Sequence, residues 1–158
     1  MAATLASALV NLAGNVDLAS IAKVGGALAA LVALVRDGSE VGKEKAAGAL
    51  RSLAVNADNQ VAIAKVGGAL AALVALLRNG SAVGKEYAAA ALWNLAINAD
   101  NQVAIAKMGG ALAALVALLR DGSAVGKEKA AGALRMLANN GDNKKLLLKL
   151  GYNAGTLA

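Results

Sequence analysis

The chain has 158 residues, 58% of them hydrophobic but only 2% aromatic, with 18 Gly, no Phe, Pro, Cys or His, and a net charge of +6. Without Cys or His there is no thiol nucleophile, imidazole base, disulfide or ordinary transition-metal site, so the chemistries that depend on them are excluded. Ala, Leu and Val supply nearly all the apolar mass, which suits closely stacked helices better than a sheet.

The mean hydropathy of +0.57 raises the question of a membrane. The apolar run 66–77 is closed by Lys65 and Arg78, and its 12 residues fall short of the roughly 20 that cross a bilayer. The opening MAATLASALVNLAGNV has no basic region ahead of its apolar residues, so a signal peptide is not expected and a soluble chain is. The basic residues recur three to five times in each copy of a repeated unit and form no single run. That favours solvated helix ends and weighs against nucleic acid, which would want a basic run with stacking aromatics.

Residues 4–15, TLASALVNLAGN, match the last third of that unit, AAAALWNLAIN. Leu5, Leu9 and Leu12 share one helical face while Thr4, Ser7 and Asn11 lie on another. Residues 1–16 are therefore expected to form an N-terminal cap helix with a polar outer side.

Three copies follow, at 17–58 (its opening shortened), 59–100 and 101–142, and the last two differ at 8 of 42 positions. A period in the forties points to a helical solenoid. In the middle copy a short first helix is predicted over 59–66 with Asp58 as N-cap, then a Gly67-Gly68 corner. The second helix, 69–78, buries the stripe Leu70, Leu73, Val74 and Leu77. It ends with Arg78, and Gly80 is its C′ stop. Ser81 caps a third helix over 83–97, with Ala88, Leu92, Leu95 and Ala99 towards the core and Tyr87, Ala90, Asn94 and Asn98 on the other face. Residues 143–150, NKKLLLKL, carry more charge on one side and larger Leu on the other, as a C-terminal cap helix would; 151–158 are expected to be an irregular tail.

The string GALAALVALLRDGSAVGKEKAAGALR and the spacing of all three helices resemble the armadillo repeat, nearest the plant and protist type, over about 4–150. The resemblance implies an all-α, right-handed superhelical solenoid of three-helix repeats, within a single domain spanning 1–150. It further implies a non-enzymatic scaffold that binds extended peptides along a concave groove lined by the third helices. The family's ladder Asn falls at Asn11, Ser52, Asn94 and Met136. The position three or four residues earlier, often Trp in the karyopherin branch, holds Ser7, Gly48, Ala90 and Gly132. The usual Pro of the second helix is missing from 70–73. Near-identical copies, no Pro and dedicated ends together resemble a consensus or engineered protein, with a recently duplicated natural one as the alternative.

Six of the eight differences fall on the third helix, so that face is either a contact surface or one free to drift. For Trp93 the plain alternative is packing between neighbouring third helices, with Arg51 or Arg135 laid on the indole. Gly48 and Gly132 cost about 1 kcal/mol each inside a helix and are read as family inheritance rather than close approach. The candidate partner-binding residues are Asn11, Lys45, Arg51, Ser52, Tyr87, Trp93, Asn94, Asn98, Lys129 and Arg135, favouring an extended acidic peptide. No catalytic residue, metal or cofactor is expected, because the acidic residues recur as periodic helix-end groups and form no unique cluster. The competing reading is a structural solenoid that only associates with itself through its exposed ends, as a homodimer or head to tail.

Overall fold

The computed structural model describes residues 18–24 and 26–153. The expected cap helix at 1–16, with Asn11, and the end of the tail at 154–158 lie outside the described residues. Ten α-helices are present among those described: α1 (Leu18–Ala22), α2 (Ala27–Asp37), α3 (Glu40–Leu53), α4 (Ala57–Lys65), α5 (Ala69–Asn79), α6 (Ala82–Leu95), α7 (Ala99–Lys107), α8 (Ala111–Asp121), α9 (Ala124–Leu137) and α10 (Gly141–Lys149). They run as first, second and third helix of three successive copies, closed by a last first helix. The chain is an all-α solenoid.

Each corner depends on backbone that only glycine adopts easily. Gly68 has φ +81°, and the first and second helices it joins, α4 and α5, meet at 88°. Among the described residues no single helix is long and apolar enough to cross a membrane. The second helices bury the predicted Leu and Val stripe, and the third helices bury Ala88, Leu92 and Leu95 with their counterparts. Neighbouring third helices pack far more extensively than neighbouring second helices, so the stack curves with the third helices on its inner side.

The helix ends differ from expectation in three places. The first helices are capped two residues earlier, by Asn56, Asn98 and Asn140, whose side chains accept from the backbone N–H of Asn59, Asn101 and Asn143. Asp58 and Asp100 sit in the first turn instead, where a carboxylate still favours the helix dipole. The third helix consequently stops at Leu95, and Ala99, expected in its core stripe, opens α7 and is exposed. Gly80 is not a left-handed C′ residue. It has extended backbone (φ −75°, ψ 174°) and is glycine for space, since a Cβ there would stand 2.5 Å from the Leu76 carbonyl oxygen. Ser81 caps α6 as predicted, accepting from Gly84 N–H at 3.0 Å. Its hydroxyl also donates to Glu44 of the preceding copy, and Ser123 repeats the bond to Glu86.

A polar ladder runs through the interior, where the sequence reading named only apolar residues. Asn59, Asn101 and Asn143 are buried. Asn101 Nδ2 donates at 3.0 Å to the Leu95 carbonyl, which past the end of α6 also accepts from Asn98 N–H at 3.2 Å, and at 3.0 Å to the Gln60 carbonyl of the preceding copy. Asn143 does the same with Leu137 and Gln102. Gln60 and Gln102 donate to the Ala54 and Ala96 carbonyls. Terminal carbonyls of buried third helices need such partners, because none remains within the helix.

The segment after α10 does more than end irregularly. Gly151 takes φ +81°, its N–H bonds the Leu148 carbonyl at 3.0 Å, and Tyr152 N–H bonds the Leu147 carbonyl at 2.9 Å. This is a Schellman ending, and it folds the Tyr152 ring into the core beside Leu147. The Tyr152 hydroxyl is buried and has no hydrogen-bond partner among the described residues. Burial raises its pKa above the ordinary value of 10.0, with Arg135 pulling the other way.

Asn101→Ala removes two buried hydrogen bonds, to the Leu95 and Gln60 carbonyls, and should cost about 2 kcal/mol in urea unfolding, at about 1 kcal/mol for each bond. The phenol of Tyr152 binds its proton more tightly folded than unfolded, so its contribution is intact below about pH 10 and lost as pH rises beyond it. Tyr152→Phe removes a buried hydroxyl that has no partner among the described residues, so it should be at least as stable as the parent at pH 7 and exceed it further above pH 10.

Candidate functional site

The predicted contact residues project mainly from α3, α6 and α9, whose register is fixed by one recurring pairing. The place of residue 93 in one copy faces the place of residue 87 in the next. Arg51 of α3 therefore meets Tyr87 of α6, and Trp93 of α6 meets Lys129 of α9. The Arg51 guanidinium carbon lies 5.4 Å from the Tyr87 ring centroid, and Lys129 Nζ lies 5.6 Å from that of Trp93. Both are within cation–π range. The side on which the ring sits is exchanged between the two junctions, yet both rings come from α6.

Each ring also fills a space left by a glycine on the neighbouring helix. A Cβ on Gly132 would stand 2.5–2.6 Å from three ring carbons of Trp93, and one on Gly48 would meet the Tyr87 ring at 3.5–3.7 Å. Close approach explains Gly132, contrary to the inheritance reading, whereas the contact at Gly48 is an ordinary one that leaves room for a Cβ. The Trp93 expectation is half right: the indole does pack between third helices, but Lys129 covers it and neither arginine does. Ala90, which faces no ring, keeps its Cβ. The signal was present in the copies, since Gly appears at this place where a neighbour carries a ring and Ala where the helix carries the rings itself.

The other candidates have distinct placements. Asn94 Nδ2 donates to the Arg51 carbonyl at 3.0 Å. Ser52 Oγ turns back to the Gly48 carbonyl at 3.1 Å, and Asn98 is committed as the α7 N-cap. Lys45 and Arg135 are exposed. Lys129 also touches Glu128 at 2.9 Å, with 26% of the lysine side chain and 64% of the glutamate side chain exposed. Sequence reasoning missed the Glu44–Ser81 and Glu86–Ser123 bonds, which join residues 37 apart and so escape any local pattern.

Among the described residues no three acidic, His or Cys side chains gather to hold a metal. A separate open cleft of about 630 Å³ lies towards the second helices, lined by Arg78, Lys85, Asp121 and Ser123 among others, and it shares no residue with the candidate set.

Stacked three-helix repeats with an inner row of third helices define an α-solenoid. Residues 58–97 match the Armadillo/beta-catenin-like repeat, and the copy after them is nearly identical; the fold and these repeats match engineered armadillo repeat proteins. It is similar to an engineered protein known from a crystal structure, with TM-score 0.83 and 30% identity over 92% of this chain and 61% of the other. A computationally designed armadillo repeat protein for modular peptide recognition superposes with TM-score 0.74 and 31% identity over 85% of this chain and 61% of that one. A designed armadillo repeat protein in complex with the peptide (KR)4 gives 0.76 and 29%, covering 90% and 69%. The chain thus spans about three fifths of the length of the first of these. No curated protein sequence matches it.

The two glycines should respond to the same substitution with opposite signs. Gly48→Ala adds a Cβ in ordinary contact and should raise stability by up to about 1 kcal/mol through helix propensity. Gly132→Ala drives a Cβ into a rigid indole and should lower it by about 1–3 kcal/mol. Adding Trp93→Ala should abolish that penalty, so the double-mutant cycle is strongly non-additive in denaturant unfolding.

Proposed function

We propose that this chain is a non-enzymatic scaffold that takes an extended acidic peptide along the inner face of its third helices. The observation that carries the reading is the pair of cations laid over rings on that face, Arg51 on Tyr87 and Lys129 on Trp93. Exposed Lys45 and Arg135 extend the basic surface, whereas two of the nearby carboxylates, Glu44 and Glu86, are bonded to serine hydroxyls. Asn94 uses one amide N–H on the Arg51 carbonyl, and its other N–H and its carbonyl oxygen suit the main chain of a ligand. The neighbour that holds (KR)4 supports peptide binding by this kind of scaffold, with a peptide of the opposite charge.

Trp93 is the only tryptophan, so its emission reports directly on this face. Titration with a Glu-rich octapeptide at low salt should change that emission saturably. Arg51→Gln and Lys129→Gln should each weaken binding by up to about fivefold, as loss of an exposed charge pair does, and added salt should weaken it further. Asn94→Ala should weaken it as well. Emission that ignores the peptide, or affinities identical in all variants, would sink the reading. Emission that instead follows protein concentration, with light scattering rising alongside, would favour the self-associating solenoid.

A further inference from the structure

Resting on the acidic-peptide reading, we infer that the preferred partner carries two acidic side chains four residues apart, with a small apolar residue midway between them. The register centres on α6. Arg51 comes from α3 and Lys129 from α9, and each leans inward onto a ring of α6. Packed helices lie about 8–10 Å apart, which separates α3 from α9 by roughly 16–20 Å, and the inward lean brings the charges to roughly 10 Å across the helices. The six-residue step from Tyr87 to Trp93 adds about 9 Å along α6, for a separation of roughly 13–14 Å.

An extended peptide repeats its same-side residues about every 6.7 Å. Acids at i and i+2 therefore fall short of the second cation, those at i+6 overshoot it at about 20 Å, and those at i+4 match at about 13 Å. Two further features place the centre of the peptide on α6. Asn94 is the only ladder asparagine among the described residues, since Ser52 and Met136 hold the places on α3 and α9. The middle residue of the peptide stands over α6, where Ala90 is buried and the bulk of Tyr87 and Trp93 is already committed to the neighbouring helices, so no large pocket receives it.

The rings give the two cations a defined position, unlike exposed Lys45 and Arg135, so their spacing selects a ligand where a loose basic surface would not. Glu128 is the internal competitor for Lys129. A ligand carboxylate displaces it, and removing it frees the lysine.

The test uses three peptides of equal composition, each with two glutamates in an otherwise uncharged, extended sequence, spaced i+2, i+4 or i+6. Affinity is read from Trp93 emission and by calorimetry. The i+4 peptide should bind at least fivefold tighter than the others. Arg51→Gln and Lys129→Gln should each erase that preference, and Glu128→Gln should tighten the i+4 peptide severalfold. Circular dichroism checks that these surface variants keep the parent's helix content. Equal affinity for all spacings, or an optimum at another spacing, overturns the inference and leaves the acidic-peptide reading standing. Failure of every acidic peptide to bind overturns both.

Discussion

The space between adjacent third helices is the constraint on which the rest of the inner face depends. Three helices at close spacing leave room for one large side chain per junction, and α6 supplies both, Tyr87 towards α3 and Trp93 towards α9. The Trp93 ring requires the facing residue to have no side chain, and Gly132 meets that requirement, while the Tyr87 ring leaves room for a Cβ at Gly48. It also offers a π face in a half-buried setting, which Arg51 and Lys129 cover. Ring, gap and cation are therefore a single unit, repeated with its sides exchanged.

Variation among near-identical copies consequently has a cause that neither drift nor ligand contact supplies. The differences at 87, 90 and 93 are coupled across junctions. A copy bearing the indole needs a glycine-bearing copy after it, and two ring-bearing copies in succession would set an alanine Cβ into an indole. The middle copy is thus matched to its neighbours, while the conserved serine caps and Asn101-type ladder can join any copy to any other. Stacking strength is shared by all copies and neighbour choice is confined to a few positions.

Much of this fold was legible because solenoid repeats expose their period directly. The period, the Gly-Gly corner, the apolar stripe of the second helix and the serine caps all rest on local rules, and all appear in the structure. Reading failed where two local rules compete or where the partner is distant. Asn56 and Asp58 are both good caps two residues apart, and only the path of the chain from α3 selects the asparagine. Asn59, Asn101 and Asn143 look like surface residues until the carbonyls they satisfy are seen, six residues back and, for two of them, about one copy away. Tyr152 stands one place after Gly151, where the other copies continue a corner, and a reading by composition gave the whole segment to the tail. For the candidate site, the helix and the face were legible; which side chains are free on it was not. Asn98 and Ser52 are committed to backbone, and the two aromatic residues expected as anchors are set into neighbouring helices.

That commitment changes what the inner face can offer a partner. Rings wedged between helices provide less stacking surface than free ones, so the recognition chemistry passes to the groups resting on them. An exposed lysine is mobile and strongly hydrated, and ordering it offsets much of what its charge contributes. One held against an indole has already lost part of that freedom before any ligand arrives. The same packing of rings between third helices therefore fixes two positive charges at a set separation across α6. On the proposed reading, ligand selection follows from how the copies are fitted together, and altering a junction alters both stability and specificity at once.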